Sequence, residues 1–495
     1  MKRQVTINPI SRLEGHGKID IFLDAKGDVE HAAFIVPELR GFEKFVEGRP
    51  AEDMPQITSR ICGVCPSAHH MAATKALDAL FGVEPPPAAK LIREFYYDIF
   101  MFEDHLLHFF FLGGPDFIVG PDAPKESRNI LGVIEKVGVD IGKQVIDIRK
   151  RAREWMSLIG GKPIHPVLGL PGGVAKAISK SDQKKLTEFG KDAVAFAQFT
   201  LKAFHDLVLS NKEYVKLILS DTYRIETHSM GMVDSKNRAN WVDGKIRIVD
   251  LAGKEIEKFL PKDYADIVAE HVEPWTYIKF PYLRKKGWKG FIDGSKSSIV
   301  RVAPLARLNT ADSLSTPLAQ AEAEKMFKVL GGKPSQYTLA LHWARLVEVL
   351  HAAERILELS KDPQLYSPEI RNLNFKTPKE GVGIVEAPRG TLIHHYTSDK
   401  NGMITSANLM VATLFNSPAI NISIEKAAKK LISKGKVNDG LLNMIEMAFR
   451  AYDPCLSCAT HSLPGKMPLV VQLKNEAGEP LQKVTWNESG DQVTV

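Results

Sequence analysis

Cysteine is scarce in this chain, with four among 495 residues. So few exclude the dense cross-linked framework of a small secreted protein. Long uncharged apolar runs are missing as well. The greasiest stretch, FYYDIFMFEDHLLHFFFL at 95–112, is interrupted by Asp98, Glu103 and Asp104, so no membrane span is expected. Basic residues do not cluster: 65 lysines and arginines against 59 acids leave a net charge of +6 without a long basic run. Nucleic-acid binding, which needs a concentrated basic face, is not suggested. No apolar segment follows Met1-Lys2-Arg3, so a secretory signal is not expected either. The sequence also lacks low-complexity linkers and internal repeats. What remains, 44% apolar and 25% charged residues, has the composition of a globular protein. A cytoplasmic location is the expectation.

The hydrophobic pattern predicts an α+β fold that is predominantly α. KIDIFLDAKGDVEHAAFIV (18–36) alternates apolar and polar residues around a turn at Lys26-Gly27-Asp28, which reads as a hairpin. Helical periodicity follows at 89–112, 135–158, 183–217 and within 316–360. The stretch from about 218 to 310 is richer in Gly, Pro and Trp, with short strand-like runs, and reads as an inserted α+β region. One large domain with a long-helix core and β-elements near both termini accounts for this pattern.

The four cysteines form two C-x-x-C pairs, in RICGVCPSAH (60–69) and DPCLSCATH (453–461). Asp453 followed by Pro454 carries a helix-start signature, an N-cap and a proline at the first helical position. A helix there would put Cys455, Cys458 and His461 down one side. Cys62, Cys65 and His69 would share a face if a helix began at the first motif. Helix N-termini favour thiolates. Two such pairs brought together would offer four sulfurs to zinc, iron or another thiophilic metal. A structural zinc site is the plain alternative, but such sites organise small local modules, and these pairs lie near opposite ends of the chain. Two separate redox dithiols would leave the flanking residues without a purpose.

Those flanks carry a resemblance. The two motifs, together with RLEGHGKI (12–19), RGFEKFVEGR (40–49) and EAPRGTLIHH (386–395), resemble in order the large, catalytic subunit of [NiFe]-hydrogenases. The resemblance implies that Cys62, Cys65, Cys455 and Cys458 bind a nickel–iron centre, Cys65 and Cys458 bridging both metals and Cys62 and Cys455 on nickel alone. The iron of this family carries carbon monoxide and cyanide. Arg389 corresponds to the guanidinium held over the metals, Asp104 to the carboxylate that holds it, and Asp453 to the same surroundings as well as to an N-cap. Glu14 corresponds to the first proton acceptor beside a terminal nickel cysteine, as heterolytic cleavage of H2 requires. Glu43, the carbonyl of Leu409 and His461 would hold a magnesium (or iron) ion, a hard cation that suits oxygen ligands. Thr413 would bond a cyanide. His69, His105, His108, His394 and His395 are read as groups packed around the site and not as ligands.

All four cysteines are then committed to one centre, so electrons must leave through a partner, the iron–sulfur small subunit of the family. The resemblance further implies that the domain ends at residue 461 and that an endopeptidase removes Ser462–Val495 after a chaperone-assisted nickel insertion. In this reading LVVQLK (469–474) and LQKVTW (481–486) form a hairpin around a turn at Gly478-Glu479-Pro480. AYDPCLSCATH followed by PLVVQL is most similar to the cytoplasmic, multi-subunit, viologen-reducing enzymes linked to heterodisulfide reductase. Deazaflavin-linked or NAD(P)-linked enzymes remain open, as does a hydrogen-sensing homologue, which usually lacks the tail. The quinone-site relative in respiratory complex I lacks the cysteine pairs.

Overall fold

The computed structural model describes residues 3–460, and beyond them only the strands Val470–Lys474, Pro480–Trp486 and Gln492–Thr494. Strands β1 (Arg3–Ile7), β2 (Lys18–Leu23) and β3 (Val29–Ile35) form an antiparallel sheet in that order. Ile19, Ile21 and Leu23 of β2 turn their side chains into the core, as the alternating pattern predicts. The hairpin turn uses Gly27 at φ +83°, and Asp24 accepts the amides of Lys26 and Asp28.

Helices α1 (Pro66–Leu80), α2 (Pro87–Leu107), α3 (Val139–Gly160) and α4 (Gln183–Phe204) follow. Two of the predicted helices are broken. The one expected at 135–158 divides at Gly138, whose φ of +94° leaves a separate turn of helix at Ile130–Val137. The one expected at 183–217 passes through a π-turn at His205–Leu209 and restarts where Asn211 caps Lys212–Ile218.

The strand-rich stretch contains β4 (His228–Val233), β5 (Lys245–Val249) and β6 (Glu255–Phe259), antiparallel in sequence order, with β7 (Val300–Arg301) parallel to β4. Helix α5 (Pro304–Thr310) leads to α6 (Leu341–Leu359), which packs against both α2 and α4. Helices α2 and α6 run antiparallel, since Glu94 meets Arg355 while His105 meets Glu348.

Next comes a second antiparallel sheet, β8 (Glu380–Ala387), β9 (Gly390–Ser398) and β10 (Ile404–Met410). Strand β8 lies directly on α1. A Cβ on Gly383 would stand 2.1 Å from the Ala72 carbonyl oxygen, so only glycine allows this approach of strand to helix. Helices α7 (Ala412–Leu431) and α8 (Asp439–Arg450) complete the core, α7 packing on β3 and α8. Periodicity misses α7 because its first thirteen residues are all buried and it carries Pro418 within the helix, so no polar face marks it. The C-terminal strands Val470–Lys474 and Pro480–Trp486 pair antiparallel, as expected of a hairpin; Gly478 and Glu479 lie outside the described residues.

Among the described residues no helix is long and apolar enough to cross a membrane.

Candidate metal centre

The two cysteine pairs meet. The Cys62 and Cys455 sulfurs are 3.2 Å apart, Cys65 and Cys458 3.2 Å, Cys65 and Cys455 3.9 Å, and Cys455 and Cys458 2.7 Å. All four sulfurs fall within 4.8 Å of one another, each residue is buried, and none is in a disulfide.

The first pair is held by local structure. Cys62 is extended, and its sulfur accepts the Val64 and Cys65 amides at 3.2 and 3.4 Å. Cys65 occupies the N-cap position of α1, with Pro66 opening the helix. The pair thus frames the helix start instead of sharing a helical face; only His69 lies on the helix.

The second pair is held from a distance. No α-helix starts at Asp453: its φ is +55°, Cys455 forms a bridge with Glu14, and a single 3₁₀ turn, Ser457–Ala459, follows. The amides that a helix N-terminus would leave unpaired already have partners. Cys455 donates to the Thr413 hydroxyl at 3.0 Å, Leu456 to the Glu14 carbonyl at 3.0 Å and Ser457 to the Glu14 carboxylate at 3.1 Å. Asp453 therefore caps nothing. Its carboxylate, with its backbone carbonyl, receives Arg389.

Arg389 sits in the turn between β8 and β9, where Pro388 precedes it and Gly390, at φ +124°, follows. Its guanidinium reaches the Asp453 carbonyl at 2.7 Å, the Asp453 carboxylate at 3.0 Å and Asp104 of α2 at 3.3 Å. All three residues are buried. Burial pushes Asp104 up to about 7 despite Arg389, and raises Asp453 as well. Glu14 accepts the Cys455 thiol on its carboxylate at 3.0 Å. Burial, then the charge of Cys62, lifts Glu14 above the usual carboxylate range.

Hydrogen bonds from Cys455, Cys458 and Cys65 hold Cys62 well below the usual thiol range, while burial pushes Cys455 and Cys458 well above it. Burial therefore opposes having all four sulfurs ionised together. Ionising all four in so dry a place requires positive charge within the cluster, which a soft, thiophilic metal provides. The donor set fits such a metal.

Glu43 lies outside this cluster. Its carboxylate accepts the Leu409 amide at 2.7 Å, and burial pushes it up to about 7 against the pull of Lys279. His461 lies outside the described residues, but Thr460 before it accepts the amides of Arg40 and Gly41 at 2.8 and 3.3 Å. Among the histidines, His69 touches the Cys458 sulfur at 3.4 Å and His394 at 3.1 Å. His105 bonds Glu348, His108 the Arg450 carbonyl, and His395 Tyr264 and Glu380.

Sequence reasoning passed over Asp116. Against burial, Arg450 and Arg12 hold it below the usual carboxylate range, and its carboxylate bridges the two at 2.6 and 2.5 Å. It ties the loop carrying Glu14 to the end of α8. The available signal was an acid inside the otherwise apolar GGPDFIV, 113–119.

The family model described as nickel-dependent hydrogenase matches residues 40–128 and 143–461, and one described as HoxL-like matches 4–39. The chain belongs to the nickel-dependent hydrogenases. It is a large, catalytic subunit of that family, an oxidoreductase acting on hydrogen, and the four-cysteine cluster fits its nickel–iron site. The hydrogenase is 48% identical to an iron-sulfur subunit of the F420-non-reducing hydrogenase of Archaeoglobus profundus, over 97% of this chain and 99% of that one. It is 42% identical to the corresponding F420-non-reducing hydrogenase chain of Methanothermobacter marburgensis, over 97% and 100%. The NAD-reducing hydrogenase HoxS subunit beta of Cupriavidus necator is 38% identical over 97% and 98%. Among solved structures, an NAD+-reducing [NiFe]-hydrogenase in the H2-reduced state superposes with a TM-score of 0.87 at 36% identity, covering 93% of this chain and 99% of that one.

Proposed function

We propose that this hydrogenase oxidises H2 reversibly at a nickel–iron centre held by Cys62, Cys65, Cys455 and Cys458, its iron carrying carbon monoxide and cyanide. When bound, such a centre takes up the electron pair of H2 and leaves a proton for a nearby base. Glu14 is that base: its carboxylate is 3.0 Å from the Cys455 sulfur, and burial raises its proton affinity, which suits it to accept a proton and pass it on. The Ser457 amide, bonded to the same oxygen, holds it in place. Arg389, kept charged by Asp104 and Asp453, presents hydrogen-bond donors beside the cluster. Thr413 accepts the Cys455 amide, which leaves its own O–H to donate to a cyanide. Glu43 and the Leu409 carbonyl, with His461, would hold a magnesium (or iron) ion; the 2.7 Å bond from the Leu409 amide to Glu43 brings Glu43 beside Leu409.

The single observation that carries this reading is the convergence of four buried sulfurs with Glu14 on one of them. Metal analysis of enzyme purified anaerobically from its host tests it. Near-stoichiometric nickel is expected; stoichiometric zinc without nickel would replace this reading by a structural site.

Electrons leave through an iron–sulfur small subunit, then through further electron-transfer subunits, heterodisulfide reductase among them. No cysteine of this chain remains for a cluster of its own. Greater identity to the F420-non-reducing relatives than to the NAD-reducing one favours the former type over an NAD(P)- or deazaflavin-linked enzyme. Residues 1–461 form the catalytic domain. Ser462–Val495 is an extension cut after His461 by an endopeptidase once a chaperone has delivered nickel, and it argues against a hydrogen sensor. The family match ending at residue 461 supports this boundary. The enzyme works in the cytoplasm.

A further inference from the structure

Arg307 lies in α5, fully buried, and does not touch the cysteines. A guanidinium has five N–H donors in a fixed planar fork, and here every one is used. Nε and one Nη2 donor engage the two oxygens of Glu348 at 2.7 and 2.6 Å. The two Nη1 donors reach Glu386 at 3.1 Å and the Ala387 carbonyl at 2.8 Å, and the remaining Nη2 donor reaches the Pro388 carbonyl at 3.1 Å. Ala387 and Pro388 are the two residues before Arg389. Glu348 also receives His105 at 2.9 Å, one position beyond Asp104, the carboxylate that meets Arg389. Glu386 is completed by the Thr391 hydroxyl at 2.7 Å and the Met232 amide at 3.0 Å. On the far side of the turn, Asn416 donates to the Arg389 carbonyl at 3.0 Å.

We infer that Arg307, locked by Glu348, is a positioning residue for the hydrogen reaction: it clamps the Ala387–Pro388 carbonyls and thereby sets where the Arg389 guanidinium stands relative to the four cysteines. The inference rests on the role proposed above for Arg389. A side-chain-only hold by Asp104 and Asp453 would leave the two-residue turn free to shift. The clamp removes that freedom by tying the turn to α5 and α6, and, through His105, to the same turn of α2 that carries Asp104. A lysine cannot reproduce it, since an ammonium is a single point with three donors and no fork.

The test uses the complete, metal-loaded enzyme with Arg307→Lys and Glu348→Gln. It reads nickel content, kcat and KM for H2, and the infrared stretching bands of the carbon monoxide and cyanide ligands. Arg307→Lys should retain nickel, keep its KM and lose kcat by about 100-fold, the scale of an ångström-sized misplacement. Its ligand bands should shift as Arg389 moves. Glu348→Gln keeps the shape of the acceptor and should change both readouts in the same direction by less. Nickel-loaded Arg307→Lys with wild-type kcat and unshifted bands would overturn the clamp. Loss of nickel and of folding in both variants would make the network a structural strut and overturn it as well. Arg389→Lys is the separate control: if it leaves kcat and the bands unchanged, the reading of Arg389 fails, independently of how Arg307 behaves.

Discussion

The two C-x-x-C motifs have the same spacing and contribute equally to one cluster, yet the protein holds them by opposite means. The first is local: Cys62 and Cys65 are placed by the amides of Val64 and Cys65 and by the start of α1. The amides that hold the Cys62 sulfur lie within three residues of it. The second is remote. Asp453–Cys458 takes an irregular path whose amides are satisfied by Thr413 and Glu14, and whose aspartate is claimed by Arg389. The difference suggests a division of labour. One arm is held by its own neighbouring amides, and the other by Glu14, Arg389 and Thr413, which lie far from it in sequence.

The largest expected effect comes from breaking the locally held arm. Cys65→Ser should yield a folded protein without nickel and with hydrogenase activity at background; full hydrogen uptake by this variant would refute the cluster. Glu14→Gln tests the remote arm without removing a sulfur. It keeps the shape and one acceptor, so nickel should stay, while H2 oxidation falls by about 10²–10⁴-fold, the usual worth of a positioned base. Retained activity there would move the proton acceptor elsewhere.

Smaller effects separate the two holds. Gly383→Ala would force β8 away from α1, because the new Cβ meets the Ala72 carbonyl oxygen at 2.1 Å and the Ala76 amide at 2.3 Å. A loss of about 1–3 kcal/mol in chemical denaturation is expected from such overpacking, with weakened nickel retention as Cys65 shifts. An unchanged denaturation midpoint would show that α1 is not braced by the strand. Thr413→Val leaves the buried Cys455 amide without an acceptor, at about 1–3 kcal/mol. Amide exchange should then rise at 453–460 and stay as in the wild type at 62–68. Equal exchange in both segments would erase the distinction between the arms.

Much of the architecture was legible where the chain alternates or repeats at helical spacing, as in the β2–β3 hairpin and in α2 and α6. Helix α7 was not legible, since a segment buried on every side has no polar face to betray its period. The site divides in the same way. Its donors were identifiable by residue type and by their motifs, but the reading of Asp453 as a helix cap failed. The signature of Asp followed by Pro is a local preference. It yields when a buried guanidinium offers the carboxylate a stronger partner and other groups take the amides. Arg307, Glu348 and Asp116 gave little warning, because a charged residue in an apolar helix or loop reveals its purpose only through what lies opposite.

The sequence by itself determined the chemistry available: four sulfurs in two pairs, a glutamate and an arginine in recognisable surroundings, and the periodic segments that build the core. Those follow from residue type and from spacing along a single element, where each side chain's direction depends on backbone geometry alone. Only the tertiary structure decided that Cys62 and Cys65 meet Cys455 and Cys458, that Asp453 faces Arg389 and not the amides behind it, and that Arg307 spends all five donors on the turn before Arg389 and the two glutamates beside it. These depend on which buried polar groups find one another across nearly the whole chain length, and the cost of leaving any of them unpaired in a dry interior is what selects the arrangement.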